Sequence, residues 1–565
     1  MGVRHMEREG RTTDRSSRAG TPPTARPGWL APDGPLADLL HPFRPLPPAE
    51  SSRRARIALA CVVAMAVVFT AFYSAYLFAA QDAYLTHAED MGIMTQALWT
   101  TTHGALLHQT VCNIVSDSNC LGDISRLAIH FEPIMLPLAL LYHVLPSPKS
   151  LQFVQALVVA TGAWPAYAVA SRRLGSQAAG VGFAALYLLH ASLDSAVTFD
   201  FHPVTLAAAF LMFAVYCMLT ENAGGLFIAS LLAMSTKEEV ALSVAVLALC
   251  MMVFQRRWRV GGALLAVALL WVVAELRIMD AASPTTTFSP TIGRYAARGD
   301  SPLQILAYTL GHPLLILRTY VFDHTRLMYL RALVAPLGYL ALFSPLALVI
   351  TLPAVAINLL SNDPAMYSGF LQYTAESIPI VVFASIQGAG VITRVAVRVL
   401  GRWRGARASF ARLGHAVARA TGGRRLSASA ALAGALVVVA LGLSIHDQRD
   451  HPYTPLGAAF AWPQTNAHTR AADELVALIP ANASVSAQSN LVPHLSNRRA
   501  IYLFPYRADS AAYVLIDRKG ERYPLQDEPA TWANDVAGLL ADPAYHIVAQ
   551  RDGLILLARV PGSGR

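Results

Sequence analysis

The sequence predicts an α-helical polytopic membrane protein of about eleven spans that ends in a small α/β domain. Three observations carry this expectation. Apolar residues make up 55% of the 565-residue chain and charged residues only 14%, a balance foreign to a soluble globular protein. Several charge-free runs approach the roughly 20 residues that a helix needs to cross a bilayer. After residue 446 the pattern changes to short β-prone runs alternating with helical ones.

Taken in order, residues 1–52 are rich in Arg, Pro, Ser and Gly and poor in large apolar side chains, which predicts a disordered cytoplasmic tail. The first span, Ile57 to Ala80, follows Arg53, Arg54 and Arg56. It is too long for a signal-peptide core, so the N-terminus is expected on the cytoplasmic side. Cys112 and Cys120 lie in the polar segment beyond it. A disulfide between them suits an extracytoplasmic loop, while Cys61, Cys217 and Cys250 lie in apolar runs and read as small core residues.

Further apolar runs recur at 151–171, 178–194, 203–220, 225–236, 239–254, 260–278, 331–343, 345–360, 376–397 and 427–446. The stretch 131–146 reads as a juxtamembrane or re-entrant helix. That choice places Arg172, Arg173, Arg256, Arg257 and Arg259 in the cytoplasm. Nine arginines without an acidic residue at 394–425 mark another cytoplasmic loop, with an amphipathic helix on anionic lipid as its expected form. The formal charge of +9 is thereby topology information, and no nucleic-acid partner is expected. Residues 279–330 read as an interfacial helix pair interrupted at Pro313. The transmembrane unit spans 53–446, and 447–565 form the extracytoplasmic α/β domain, which has no G-x-G-x-x-G, P-loop or zinc-type spacing.

With this sidedness the carboxylates gather at the outer ends of spans. "HAEDMGIMTQALW" at 87–99 carries Glu89 and Asp90, "HFEP" carries His130 and Glu132, "DFHP" carries Asp200 and His202, and "TKEEV" carries Lys237 and Glu238. Each alone is an ordinary loop or helix start, where a carboxylate favours the helix dipole. His202 before Pro203 predicts an extended turn projecting Asp200 and His202 to the same side. Three chemistries fit these residues. A carboxylate can act as general base while Lys237, Arg294 or Arg318 neutralises a phosphate leaving group. Asp90, His130, Asp200 and His202, with the neighbouring acids, offer ligands for a divalent cation. A Lys/Glu/His/Asp set in a membrane can also relay protons or ions in a transporter.

The runs "DMGIMTQALW" at 90–99, "HFEPI" at 130–134, "LQFVQALV" at 151–158, "DFHP" at 200–203, "KEE" at 237–239 and "FSPLALVITLPAVAINLLS" at 343–361, with "SVSAQSNLVPHLSNR" at 484–498, resemble a family of bacterial polytopic membrane proteins of unknown function. That family is related by fold similarity to the GT-C glycosyltransferases. The resemblance implies a GT-C-like membrane domain and a polyprenyl-phosphate-linked sugar donor used on the extracytoplasmic face. The acceptor would be an envelope glycan, lipid or protein. It carries the catalytic base to Asp90, with Glu89 as helper. His130, Glu132, Asp200, His202, Lys237 and Glu238 are left to bind substrate, and Tyr373 and Glu376 in "QYTAESIP" to close the cavity. The competing expectations are a transporter or flippase of a lipid-linked or anionic solute, and a non-catalytic envelope-assembly protein.

Overall fold

The computed structural model describes residues 36–115, 123–283, 290–400, 427–451 and 454–561. Helix α1 (Arg53–Asp82) runs for 30 residues, about 45 Å at the usual rise. Ser52 caps it by accepting a hydrogen bond from the Ala55 amide at 3.2 Å. Val62, Phe69, Tyr73 and Leu77 are buried against other helices, whereas Val63, Val67 and Val68 on the other face are exposed, as expected of a helix between protein and lipid.

A wide π-turn, Ala88–Gly92, leads into α2 (Ile93–Thr102), and a two-stranded ribbon, β1 (His108–Gln109) and β2 (Ile124–Ser125), follows. Helix α3 (Met135–Val144) has ten residues, roughly 15 Å, too short to cross a bilayer. The next helices are α4 (Pro148–Leu174), the pair α5 (Gln177–Leu188) and α6 (Ala191–Thr198) bent by 45°, and α7 (Pro203–Leu219). They are followed by α8 (Ala223–Met234), α9 (Val240–Phe254), α10 (Trp258–Ala282), α11 (Pro302–Gly311), α12 (His324–Val334), α13 (Leu352–Leu360), α14 (Ile378–Leu400) and α15 (Ala428–Asp450). One apolar core runs through α1, α4 to α10 and α14.

The described helices refine these expectations. Among the described residues, five helices are long and apolar enough to span a membrane, or six if α5 and α6 count as one span, and several other apolar helices are shorter. The run 331–343 is not one continuous helix, because Pro336 and the left-handed Gly338 and Tyr339 (φ 63° and 56°) divide it. The run 345–360 is a shorter apolar helix, Pro345–Leu360, of which α13 is the second part. The helix pair interrupted at Pro313 is found, as α11 and a short turn Pro313–Ile316. The part of the N-terminal segment that is described also packs instead of hanging free. Phe43 is fully buried against Phe254 and Phe383, and its carbonyl accepts from Gln255 at 2.6 Å. Residues 1–35 and the arginine loop at 401–426 lie outside the described residues.

The C-terminal unit comprises α16 (Ala467–Ala477), β3 (Val485–Ala487), β4 (Ile501–Leu503), β5 (Tyr513–Asp517), α17 (Pro529–Ala541), β6 (Tyr545–Arg551) and β7 (Leu554–Arg559). Its mixed sheet has the order β4-β3-β5-β7-β6, with β3 parallel to β4 and β5 and the other pairs antiparallel. Asp552 and Gly553, both at positive φ, make the tight turn that joins β6 to β7. This unit packs on the chain just beyond α1. Tyr84, Ala88, Ile93 and Val111 share a core with Leu475, Val485 and Val492. Thr110 exchanges hydrogen bonds with Ile501 at 2.6 and 3.0 Å.

Candidate functional site

Helix α1 stops where Tyr84 adopts a left-handed conformation (φ 59°), and His87 is extended. The following π-turn closes with the Gly92 amide donating to the His87 carbonyl at 3.0 Å. Such widened turns redirect side chains away from the regular helical register. Asp90 sits in this turn, held from above by the α/β unit, where Ser489 accepts from the Ala88 amide at 3.2 Å.

The second arm is the connection between α6 and α7. Pro203 opens α7 at its first turn, and Asp200 lies at φ 36°. A non-glycine residue there stores strain of order 1–3 kcal/mol, which its surroundings must offset. Gln155 of α4, fully buried, does so. Its amide donates to the carbonyls of Val197 and Asp200 at 2.9 and 2.8 Å, and its oxygen accepts from the His202 amide at 2.9 Å. His202 is extended, as expected before Pro203, while the chain reverses at Asp200, and both polar side chains reach the same place.

There His202 Nε2 meets Asp90 Oδ1 at 2.9 Å, and the His87 amide donates to Asp200 Oδ2 at 2.9 Å. His87, Asp90 and Asp200 each offer one ligand atom, and all three atoms lie within 4.8 Å of one another. The carboxylates are driven apart. Burial opposes the charge of Asp90, but the hydrogen bond and charge of His202, helped by His87 and Arg126, hold it below the usual carboxylate range. Burial raises Asp200, and the charge of Asp90 adds to this against the pull of His87. The hydrogen bond to Asp200 pushes His87 up to about 9, against partial burial. A pair so divided is the pattern from which acid and base roles arise.

The nitrogen and two oxygens also suit a divalent cation such as zinc or manganese. Of the four ligands expected from sequence, Asp90 and Asp200 come together and His202 stands behind Asp90 as an orienting partner. His130 lies in another group, and His87 offers the third atom of the cluster.

That second group centres on the connection between α8 and α9. Lys237 pairs with Glu239 at 2.5 Å, and His130 Nδ1 meets Glu238 at 2.8 Å. The Lys237 ammonium lies 5.3 Å from the Tyr373 ring, whose other cationic neighbour is Arg294 at 5.7 Å. Burial opposes charge on both Lys237 and Glu238. The negative charges of Glu239 and Glu238 nevertheless hold Lys237 above its usual range, and His130 with Lys237 holds Glu238 down at about 2. Glu376, 4% exposed, keeps one oxygen without a hydrogen-bond partner among the described residues. Burial, with Glu239 nearby, pushes it up to about 8.

Glu132 grips Arg126 at 2.5 and 3.2 Å. A buried pair of this kind specifies position more than it stabilises, and the Arg126 charge also acts on Asp90. Glu89, expected beside Asp90, has other partners. It accepts from Asn113 at 3.0 Å and from the Tyr523 hydroxyl, which tie the turn to the α/β unit. His494 is a core histidine stacked on Tyr84 at 3.7 Å. Cys112 is disulfide-bonded and Cys61, Cys217 and Cys250 are free. Cys120 lies outside the described residues.

Sequence reasoning missed His87, Gln155 and Arg126 as members of these groups. His87 stood inside the stretch that drew attention to Asp90, so adjacency was an available signal. Gln155 lies in "LQFVQALV" with Gln152, but two glutamines in an apolar helix do not say which turn they hold. A cavity of about 430 Å³ opens at the other end of α1, between Glu50, Arg56, Trp164, Tyr167, Arg172 and Tyr216, and none of the residues expected at the site lines it.

The residues from His87 to Glu376 all fall within 83–556, the part of the chain matched by the family model described as "Predicted membrane protein (DUF2079)". No curated protein matches the chain. Because that match covers most of its length, the chain belongs to this family of predicted membrane proteins.

Proposed function

We propose that the protein is a membrane glycosyltransferase of GT-C type. It would move a sugar from a polyprenyl-phosphate-linked donor to an envelope glycan, lipid or protein acceptor on the extracytoplasmic face. The observation that carries this reading is the Asp90–His202 pair facing Asp200, on a turn wedged between the helices and the α/β unit. Asp90 is held ionised, as a general base must be.

In the proposed step, the acceptor hydroxyl gives its proton to Asp90 and its oxygen bonds to the anomeric carbon. The bond between that carbon and the phosphate oxygen breaks, and the polyprenyl phosphate departs with the electron pair. Lys237 and Arg294, beside Tyr373, are the cations available to the leaving phosphate. The test is transfer from radiolabelled polyprenyl-phosphate sugars to an envelope acceptor fraction by purified protein. Asp90→Asn should lower the rate by roughly 10²–10⁴-fold, and equal rates would remove the base from the mechanism.

A transporter reading draws on a different observation. The buried, partnerless oxygen of Glu376 beside Lys237 and Glu239 suits proton exchange near neutral pH. Solute uptake by proteoliposomes that is abolished by Glu376→Gln, without any sugar transfer, would favour it.

A further inference from the structure

Beyond Lys237 and Tyr373, arginines and tyrosines from four chain segments interleave. Arg298, at the end of the turn Pro290–Arg298, lies 4.4 Å from the Tyr320 ring and 5.7 Å from that of Tyr295. Arg326 of α12 also lies over the Tyr320 ring, at 5.1 Å, and meets Tyr367 at 4.1 Å. Arg294 and Arg326 have carboxylate partners, Asp363 at 3.3 Å and Asp323 at 3.5 Å.

Arg298 has none among the described residues. Its side chain is 4% exposed. One nitrogen donates to the Leu360 carbonyl, and Nε and Nη1 are buried without a hydrogen-bond partner. A guanidinium cannot shed its proton to escape burial, and cation–π contacts recover only part of the lost hydration. The two open donors call for an anion. The neighbouring helix α11 has no buried residue. Leu303, Leu306 and Leu310 are 53–78% exposed at i, i+3 and i+7, so an apolar face suited to lipid lies immediately beyond the arginine in the chain.

We propose that Arg298 is the centre of a phosphate-binding site, flanked by Tyr295 and Tyr320, that takes the phosphate of a lipid or free phosphate. It shares a phosphate-bearing ligand class with the sugar-transfer reading but does not require transfer. Guanidinium recognition of phosphate is strong because both partners are charged and their geometries match.

The experiment is native mass spectrometry of the full chain in phosphatidylcholine nanodiscs, with polyprenyl phosphate, the uncharged polyprenol, or inorganic phosphate added. Wild type should retain polyprenyl phosphate over polyprenol. Arg298→Gln should weaken that retention by roughly ten- to a hundredfold, the worth of a lost charged hydrogen bond. Arg298→Lys keeps the charge and serves where the glutamine variant fails to fold; it should weaken retention by a smaller factor. Binding of inorganic phosphate alone, lost in Arg298→Gln, would support the same site with a free-anion source. Asp90→Asn should bind like wild type, so failure of the transfer reading is distinguishable from failure of this one. Wild-type retention in both Arg298 variants, or equal retention of polyprenol, would overturn the proposal.

Discussion

Asp90 and Asp200 are neighbours of the same chemical type, and their surroundings separate them. His202 supplies most of the force that lowers Asp90. His202→Gln should therefore let burial dominate and raise the Asp90 pKa. The acidic limb of a pH–rate profile would then move to higher pH, because the base is lost as pH falls through that value. A stability effect has the same sign. A depressed carboxylate contributes stability above its unfolded value of about 4 and loses it as pH falls through the folded one, so the variant should lose less stability on acidification. Urea unfolding at neutral and acid pH reads this directly. Asp200 and His202 were legible in the sequence because "DFHP" announces a turn at the head of a helix. The sense of the turn was not, because the positive φ of Asp200 is imposed by Gln155, 45 residues away.

Among the elements, the π-turn at Ala88–Gly92 holds the site to the α/β unit. A Cβ at Gly92 would meet Val492 Cγ1 at 2.8 Å, and valine is stiff about its Cα–Cβ bond. Gly92→Ala should thus force the turn and the short helix Val492–Leu495 apart, costing about 1–3 kcal/mol, visible as a lower unfolding midpoint in thermal denaturation. The long helices were legible from charge-free length alone: α1, α10, α14 and α15 fall where the apolar runs fall. The run at 331–343 misled because average apolarity hides the local effect of Pro336 and of the left-handed Gly338, which end a helix whatever surrounds them. In the opposite sense, the Pro- and Arg-rich surroundings of Phe43 concealed a residue that packs fully between Phe254 and Phe383.

Across the molecule, the site and the α/β unit both lie at the Asp82 end of α1, and Arg53, Arg54 and Arg56 at the other. If the arginine-rich end faces the cytoplasm, protease added to intact spheroplasts should cleave within 454–561 and spare a tag placed before Arg53; the reverse pattern would invert the topology. Membrane class was legible because hydropathy reflects the solvent of the whole chain. The contact between the α/β unit and the Asp90 turn was not, because it depends on pairs such as Thr110 with Ile501, 391 residues apart. The central claim is that Asp90, and not its neighbour Glu89, is the base of a sugar transfer. Transfer of labelled sugar from polyprenyl phosphate by the full-length protein in proteoliposomes, compared between Asp90→Asn and Glu89→Gln, tests it most directly. The account predicts loss of transfer in the first and retention, with a weakened hold on Tyr523, in the second. Equal transfer by wild type and Asp90→Asn would contradict it.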